Sequence, residues 1–354
     1  AASVNGEIYD AGAQIAYFNQ QSRWNWGAAV SHIPYQFGTY GFNPNGESPR
    51  YGPAFEQFTD LIRVFQESVQ GFTSYPFSKT KRVEFGTGFS YTSYRIDRYS
   101  NYYNDFGQLI DQDRRKISTS EYQGFNLRSY SSIQLNTAFV GDNSVSGVAS
   151  PLEGYRYRIG IEQNFGTFQF TAPTIDLRKY VRTEPVTFAA RLYGYGRLGN
   201  TDNQIYPLFI GYPYLIRGYE ANSFYTSENS NTSGFTIDQL IGNRIAVANF
   251  EVRLPFTGPE KLSVIESKFL FSELNLFFDA GLAWDKGDKV DFSKLEPNQI
   301  SSNPNTGQTS FDIRVPAFSA GISARVNVFG YFVIEPYLAF PFNRKDISKP
   351  VFGL

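Results

Sequence analysis

The chain has 354 residues, of which 18% are aromatic and 18% are charged, and its net charge is −1. This balance gives no general attraction to nucleic acid, and the absence of cysteine excludes disulfides and cysteine-ligated metals. No segment reaches the ~20 apolar residues that a transmembrane helix needs. The remaining candidates are a soluble β-sandwich or propeller and a membrane β-barrel, whose apolar residues alternate with polar ones.

Alternating apolar and polar residues predict strands along most of the chain. In residues 155–162 the odd positions are apolar or aromatic, and the even positions are charged or glycine. This period of two is incompatible with the apolar face of a helix. The pattern predicts roughly thirteen strands, at about 2–9, 12–19, 23–35, 58–75, 82–99, 122–141, 154–165, 168–182, 186–198, 243–256, 269–284, 317–328 and 331–343.

The connections between these strands are predicted to alternate between short and long. Residues 20–22 and 78–80 are predicted as tight turns, whereas residues 38–55, 103–120 and 199–242 are predicted as long polar loops. Short turns at one end and long loops at the other are typical of outer-membrane barrels. The expected fold class is therefore all-β, a transmembrane antiparallel up-and-down β-barrel.

Candidates for catalysis or metal binding are few. The single histidine, His32, lies in a strand pattern without a G-x-S-x-G segment anywhere in the chain, so we interpret it as a lumen or rim residue. Asp285, Asp288 and Asp291 could offer oxygen ligands to calcium, but their spacing does not match an EF-hand. The charged run at 111–115 is interpreted as a solvated loop. We expect no cofactor, no metal and no enzymatic activity.

The strongest constellation consists of three separate blocks. The first is Y-L-I-R-G-Y at residues 214–219, within the longest predicted loop. The second is the strand pattern of residues 242–256, and the third is F-F-D-A-G-L-A-W at residues 277–284. Such blocks, spread over about 70 residues, form a more specific signal than any one of them alone.

In this order the blocks resemble successive elements of the bacterial surface antigen barrel of BamA-like, TamA-like and FhaC-like proteins. In that family a loop carrying [V/I]-R-G-[F/Y] folds into the lumen, and its arginine meets a strand motif F-x-D-x-G. The resemblance covers about residues 186–343, and the first half is similar in strand pattern alone. Residues 6–10 and 24–27 resemble barrels fused behind a TolB-like propeller. The resemblance implies a lumen loop lock formed by Arg217, Gly218, Tyr219, Phe277, Asp279 and Gly281.

The alternation supports this pairing independently of the resemblance. In residues 274–282 the even positions are predicted to face lipid, which leaves Phe277, Asp279 and Gly281 facing the lumen. An arginine and a carboxylate in a confined lumen can form a bidentate, charge-assisted pair. The same reasoning predicts that Phe250, Val252, Leu276, Phe278, Ile322 and Phe340 face lipid, and that Glu251, Arg253, Arg325 and Glu335 face the lumen.

We interpret residues 1–354 as one outer-membrane barrel domain and as a fragment of a longer secreted chain. The resemblance implies about sixteen strands, so strands are expected to be missing at one or both ends. An open edge would expose unpaired backbone groups to lipid, and the full protein or a partner is expected to cover it. The expected location is the cell outer membrane of a Gram-negative bacterium. The expected partners are outer-membrane lipid and a protein partner or periplasmic domain, without nucleic acid.

Three classes of function follow from these expectations. The resemblance favours protein insertion or translocation at the outer membrane. The alternative is a barrel anchor or a subunit of a larger envelope complex that carries a periplasmic domain outside this chain. A plain diffusion channel is a third class, against which a loop in the lumen argues. The sequence before residue 1 would separate the first two classes, because POTRA repeats favour insertion and a propeller or hydrolase domain favours anchoring.

Overall fold

The computed structural model describes residues 2–4, 10–122, 127–147, 149–199, 207–225, 235–297, 299–302, 309–311, 313–344 and 350–354. Residues 6–9 of the segment that resembles propeller-linked barrels therefore lie outside the described residues. The chain forms two compact units. Unit 1 comprises Ala1–Ser74, Phe85–Leu135 and Asn164–Thr167, and unit 2 comprises Tyr75–Glu84, Asn136–Gln163 and Phe168–Leu354.

Most of the described residues lie in antiparallel strands. In chain order the strands are β1 (Ala2–Val4), β2 (Ala11–Asn19), β3 (Asn25–Ser48), β4 (Gly52–Pro76), β5 (Lys81–Tyr103), β6 (Leu109–Ile117), β7 (Tyr130–Asp142), β8 (Val145–Ser146), β9 (Pro151–Gly166), β10 (Phe170–Thr183), β11 (Val186–Gly196), β12 (Leu198–Gly199), β13 (Leu208–Phe209), β14 (Ile241–Gly242), β15 (Arg244–Gly258), β16 (Ile265–Glu266), β17 (Phe271–Trp284), β18 (Gln299–Ser302), β19 (Thr309–Phe311), β20 (Ala317–Val328), β21 (Phe332–Ile334), β22 (Tyr337–Pro341) and β23 (Val351–Gly353). The helical segments in the described residues are α1 (Ala221–Tyr225) and a 3-10 helix, Ile237–Leu240. No helix among the described residues has the length and apolar character to cross a bilayer.

Unit 1 is dominated by a long hairpin. The pairs β1–β2, β2–β3 and β3–β4 are antiparallel, and the β3–β4 register runs from Asn25↔Ser74 to Ser48↔Gly52. β3 has 24 residues and β4 has 25. About 9–11 residues suffice to cross a bilayer, so this hairpin continues well beyond a membrane-spanning length. β6 pairs with the last part of β5, from Ile96↔Ile117 to Tyr103↔Leu109.

Two predicted loops are therefore wrong. Residues 38–55 largely continue β3 and β4, and residues 103–120 contain β6. Glycine, proline and asparagine are unfavourable in strands when considered locally. In the folded chain their backbone groups are paired across the hairpin, for example in the register Gly41↔Phe58 and Gly46↔Ala54. The strand predicted at 122–141 begins later than expected, at Tyr130.

The extended part of unit 1 has its own small core. Ile62, Ile96 and Ile117 come from β4, β5 and β6, and they pack with Leu127. Buried charge also joins these strands. Arg63, 2% exposed, donates from Nε to Asp10 at 2.9 Å and also contacts Asp97. Apolar packing and paired charge together help to hold β4–β6 in register.

Unit 2 is an antiparallel sheet whose strands pair in chain order as β10, β11, β15, β17, β20, β22 and β23. Cross-strand partners share one face of a sheet. One row of partners crosses six strands and defines the face that we call the inner face: Arg178, Arg191, Asn249, Asp279, Ser319 and Pro341.

The two faces of unit 2 have opposite character. On the outer face, the neighbouring row Phe250, Phe278 and Phe340 is 45%, 41% and 51% exposed. Leu276 and Ile322 are exposed as well, and Val252 is half-buried. The inner face buries polar side chains, including Asp279 and Ser319. A soluble sandwich has the reverse arrangement, whereas lipid-facing apolar side chains are typical of a membrane barrel.

The connections of unit 2 place its long loops at one end. Residues 184–185 join β10 to β11, and residues 329–331 join β20 to β21. At the other end, residues 197–243 connect β11 to β15 and residues 285–316 connect β17 to β20. Antiparallel succession brings these two long connections to the same edge of the sheet. The longest predicted loop is thereby confirmed, although it contains α1 and short strands.

Candidate functional site

A segment of the longest connection lies on the inner face of unit 2. We call residues 207–225 the inner loop. Its side chains Ile210, Leu215 and Ile216 are at most 4% exposed and pack with Val247 of β15 and Ala283 of β17. Burying one large apolar side chain contributes roughly 1.5–3 kcal/mol, so this small core holds the inner loop against the sheet.

Arg217 of the inner loop binds Asp279 of β17. Its Nε lies 2.8 Å from Oδ2 and its Nη2 lies 2.9 Å from Oδ1, and the backbone N–H of Arg217 donates to Oδ2 at 3.2 Å. The guanidinium carbon is 3.6 Å from the centre of the Phe277 ring. Asp279 is fully buried and Arg217 is 5% exposed. The structure thus brings together three of the predicted site residues in a bidentate, charge-assisted pair stacked on an aromatic ring.

Arg217 also binds two further carboxylates. Its Nη2 lies 3.0 Å from Glu251 Oε1, and its Nη1 lies 3.2 Å from Glu335 Oε1. Both carboxylates are shared with Arg325, whose Nη2 is 2.9 Å from Glu251 and whose Nε is 2.8 Å from Glu335. The predicted lumen-facing residues therefore lie in one charge network, which consists of Arg217, Arg253, Arg325, Glu251, Glu273, Asp279 and Glu335.

Two glycines permit the inner loop to approach the sheet. A Cβ at Gly281 would lie 2.1 Å from Ile216 Cδ1, closer than real Cβ atoms come to other atoms. Gly218 has a φ of +88°, a backbone conformation that side chains with a Cβ rarely adopt. A Cβ at Gly218 would also lie 2.9 Å from Ala339 Cβ. Steric constraints therefore explain why a glycine follows Arg217 in the inner loop and why position 281 of the strand motif is also a glycine.

Tyr219 connects the inner loop to a residue that sequence reasoning missed. Its hydroxyl lies 2.8 Å from Asn343 Oδ1 and 2.8 Å from the carbonyl oxygen of Phe318. Asn343 is fully buried and donates from Nδ2 to Leu295 at 2.7 Å and to Pro316 at 2.9 Å. Burial raises the pKa of the Tyr219 phenol. Asn343 is the last residue of the strand predicted at 331–343 and belongs to no recognisable motif, so its sequence position gave no signal.

Asn249 is a second residue that the sequence analysis missed as part of the site. Its Nδ2 donates to Asp279 Oδ1 and to the carbonyl oxygen of Leu215, each at 2.8 Å. The side chain therefore bridges the inner loop and the Arg217–Asp279 pair. The alternation that places Glu251 on the inner face also places Asn249 there, and this was the available signal.

The charge network borders a cavity of about 460 Å³. Its lining includes Arg217, Glu251 and Arg325 of the network and also Arg178 and Arg191. The cavity therefore adjoins the inner loop on the inner face of unit 2. Arg217 and Arg325 at its wall are bound to Glu251 and Glu335, whereas Arg178 and Arg191 are bound to Asp176.

The other sequence candidates do not converge on a site. Asp285 accepts a hydrogen bond from the backbone of Asn243 at 2.8 Å, Asp288 accepts one from Arg314 at 2.8 Å, and Asp291 accepts one from Ser293 at 2.6 Å. The hydrogen bonds from Ser293 lower the pKa of Asp291. Within the described part of the chain, no group of three or more His, Asp or Glu side chains is placed to hold a metal ion.

His32 and the run at 111–115 belong to unit 1. His32 Nδ1 lies 3.2 Å from Glu67 Oε1, on the strand face shared with the exposed Val30. Asp111 is 9% exposed and accepts a hydrogen bond from Ser48 Oγ at 2.8 Å. The interpretation of this run as a solvated loop is wrong, because it forms β6 and is held by partners across the sheet.

An apolar outer face, an inner face of buried charge and a loop bound to that face define an outer-membrane β-barrel protein. The chain belongs to the Omp85 superfamily, whose domain matches residues 17–349. The predicted family, fold class and outer-membrane location are thereby confirmed. Members of this superfamily are transport or insertion proteins of the outer membrane.

Three solved structures are similar to the chain. BamA from Haemophilus ducreyi lacking POTRA domains 1–3 is 12% identical, with a TM-score of 0.50, over 97% of this chain and 68% of that one. CdiB from Acinetobacter baumannii is 13% identical, with a TM-score of 0.47, over 97% and 50% of the two chains. CdiB from Escherichia coli is 10% identical, with a TM-score of 0.36, over 94% and 55%. The chain thus spans about half to two thirds of these proteins, and the BamA likeness supports the fold alone. No curated protein sequence matches the chain.

Proposed function

We propose that this chain works as a BamA-type barrel that inserts polypeptides into the outer membrane or passes them across it. Membership of the Omp85 superfamily supports the general class of protein transport and insertion. The single observation that carries the proposal further is the bidentate contact between Arg217 and Asp279. It fixes the inner loop on the inner face, where a plain diffusion channel would keep open water.

We assign the predicted loop lock a positioning role. Arg217 and Asp279 supply the charge contact, Phe277 supplies the stacking surface, and Tyr219 anchors the loop to the edge of the sheet. Gly218 and Gly281 remove the atoms that would prevent close approach. No bond of a substrate is broken in this proposal. The work lies in guiding a polypeptide, so we expect no enzymatic activity.

The test is assisted folding in proteoliposomes made with the purified protein. An unfolded outer-membrane barrel is added to these vesicles, and its folded fraction is followed over time by its resistance to denaturation in gel electrophoresis. We expect faster folding than in lipid-matched empty vesicles and in vesicles that contain a plain porin. Equal rates in all three preparations, with the protein folded by circular dichroism, would overturn the insertion proposal and favour the anchor or subunit alternative.

A further inference from the structure

One face of unit 1 carries exposed apolar side chains near the short connection between β2 and β3. Ile15 of β2 lies opposite Val30 of β3, which in turn lies opposite Val69 of β4, so all three share this face. They are 71%, 47% and 57% exposed, and Phe89 of β5 lines one shallow groove with them. We call this side the apolar face of unit 1, and such a face is typical of the lipid-facing side of a membrane barrel.

Farther along the same strands, the apolar face becomes positively charged. Alternation along β5 places Arg95 on the same face as Phe89. On β6, Arg114 joins this face because it lies opposite Tyr99. Lys116 follows Arg114 by one alternation of the strand and therefore shares its face. We call these three cations the basic band: Arg95, Arg114 and Lys116.

The basic band presents its cations at the surface and keeps a carboxylate beneath them. The side chains of Arg114 and Arg95 are 42% and 28% exposed, and the third cation of the band is exposed as well. Asp97 lies 3.1 Å from Arg95 and 3.8 Å from Arg114, and its side chain is only 3% exposed. Glu67, which is nearer to the apolar residues, is bound to His32. The band therefore offers positive charge to an anionic group that approaches this face.

The position of the basic band along the strands corresponds to one membrane boundary. From the exposed Phe85 to Arg95, a barrel strand of usual rise and tilt covers about 25 Å along the membrane normal. This is also about the height of the apolar band of an outer-membrane barrel. Short turns of such barrels lie on the periplasmic side, and residues 20–24 join β2 to β3 at the other end of the apolar face. The basic band therefore lies where the outer leaflet meets the cell surface.

Beyond the basic band, the same face carries a row of aromatic rings. Alternation along β3 places Tyr40 and Phe42 on the face of Val30, and they are 78% and 56% exposed. The ring centres are 6.1 Å apart for Tyr40 and Phe42, 5.9 Å for Phe42 and Phe55, and 6.4 Å for Phe55 and Tyr103. Exposed rings with polar edges suit ligands that are apolar on one side and hydroxylated at the rim, as sugar rings are. We call these four residues the aromatic row.

We propose that this face of unit 1 binds a phosphorylated glycolipid of the outer leaflet, of the lipopolysaccharide type. The order of the groups along the face matches the order of groups in such a lipid. Acyl chains lie on the apolar face, phosphates at the basic band, and sugar rings against the aromatic row. Arginine binds phosphate through charge-assisted hydrogen bonds, which makes Arg95 and Arg114 the main phosphate contacts. This inference does not depend on the insertion proposal, because it concerns the surrounding lipid rather than a polypeptide.

The test is native mass spectrometry of the purified protein in detergent micelles, titrated with bisphosphorylated lipid A that carries two core sugars. We expect this lipid to bind about tenfold more tightly than its dephosphorylated form, as two exposed ion pairs allow. It should also bind more tightly than phosphatidylglycerol, which has no sugar ring for the aromatic row. Inorganic phosphate at the same concentration should not displace it, because the free anion lacks the acyl chains and the sugars.

Two double variants separate the basic band from overall charge. Arg114→Gln with Lys116→Gln should weaken binding of the phosphorylated lipid about tenfold, whereas Arg114→Lys keeps the charge and should keep most of the affinity. The matched control is Arg50→Gln with Arg115→Gln, which removes the same charge. Arg115 lies on the opposite face of the sheet, and Arg50 lies 4.0 Å from Asp111 of that face. Both control side chains are exposed, so we expect this variant to bind as wild type does.

Four results would overturn the proposal. They are equal affinity for the phosphorylated and dephosphorylated lipids, equal affinity for phosphatidylglycerol, displacement by inorganic phosphate, and equal losses in the two double variants. Equal losses would mean that the lipid responds to the total charge of the protein rather than to the basic band. Circular dichroism of each variant checks that the β-structure is retained, so that a loss of binding is not a loss of folding.

Discussion

Tyr219 and Asn343 are joined by a buried hydrogen bond across 124 positions of the sequence, with 2.8 Å between the hydroxyl oxygen and Oδ1. The same hydroxyl lies 2.8 Å from the carbonyl oxygen of Phe318. This contact ties the inner loop to the end of β22 and the start of β20. It lies beyond the Arg217–Asp279 pair, so the loop is held at two separate places.

Removing the Tyr219 hydroxyl should weaken the attachment of the inner loop to Asn343 and Phe318. Tyr219→Phe leaves buried polar atoms at Phe318 and Asn343 without this partner, which costs about 1–3 kcal/mol of unfolding free energy. Urea unfolding in detergent micelles measures the change. Tyr214→Phe is the control, because Tyr214 is 68% exposed and should show little effect. Equal stability of Tyr219→Phe and wild type would show that the hydroxyl contributes nothing to the inner loop.

The charge pair should behave as part of a network. Arg217→Ala leaves Asp279, Glu251 and Glu335 short of a cation and should cost about 3–5 kcal/mol. Asp279→Ala should cost less, because Arg217 keeps its other two carboxylates. The double variant should be less destabilised than the sum of the two single variants.

Unfolding free energies of the two single variants and the double variant measure this coupling. Arg158→Ala serves as the control, since its half-exposed pair with Glu84 should contribute only about 0–1 kcal/mol. Strictly additive losses for Arg217→Ala and Asp279→Ala would argue that the two side chains act independently, despite their contact.

A methyl group at position 281 should push the inner loop away. The Cβ of Gly281→Ala would lie 2.1 Å from Ile216 Cδ1, and such overpacking costs about 1–3 kcal/mol. Ile216→Val removes that Cδ1 atom, so it should recover stability in the Gly281→Ala background although it costs stability alone. Gly194→Ala is the control, because its nearest neighbour is 3.9 Å away. Thermal unfolding measures the stability of Gly281→Ala, Ile216→Val, their combination and Gly194→Ala. If Ile216→Val does not restore stability to Gly281→Ala, the predicted steric conflict is contradicted.

Single cysteines can show which face of unit 2 contacts lipid and which contacts water, since the chain has no cysteine of its own. Nitroxide labels at Leu276 and Phe278 should be reached by oxygen dissolved in the lipid, because both side chains are exposed on the outer face. Labels at Arg156 and Arg158 should be reached by a water-soluble nickel complex. The opposite accessibility of these pairs would mean that the two faces have been exchanged.

The sequence predicted unit 2 better than unit 1 for a physical reason. β10, β11, β15, β17 and β20 face lipid on one side and polar groups on the other. This environment imposes an alternation that is visible in the sequence. β3 and β4 extend past that environment, and near Gly41 and Gly46 they contain residues that are unfavourable in strands. Their pairing depends on a hairpin partner, which no local pattern reveals.

The candidate site was likewise predictable from the sequence only in part. Arg217 and Asp279 each lie in a short motif, and the structure places their side chains in contact. Glu251 and Arg325 could be assigned to the inner face by alternation, but their binding to Arg217 and to each other depends on tertiary register. Asn343 acts through a hydrogen bond at the end of a strand, where neither periodicity nor a motif identifies it.

We attribute insertion activity to a barrel whose inner loop is bound by Asp279, and this attribution can be tested with a single rate measurement. The rate is that of assisted folding of an unfolded outer-membrane barrel in proteoliposomes containing wild type, Arg217→Ala or the exposed control Tyr214→Phe. We expect Tyr214→Phe to match wild type and Arg217→Ala to fall toward the rate in empty vesicles while retaining its β-structure by circular dichroism. A rate for Arg217→Ala equal to that of wild type would contradict the claim that the bound inner loop is part of the working state.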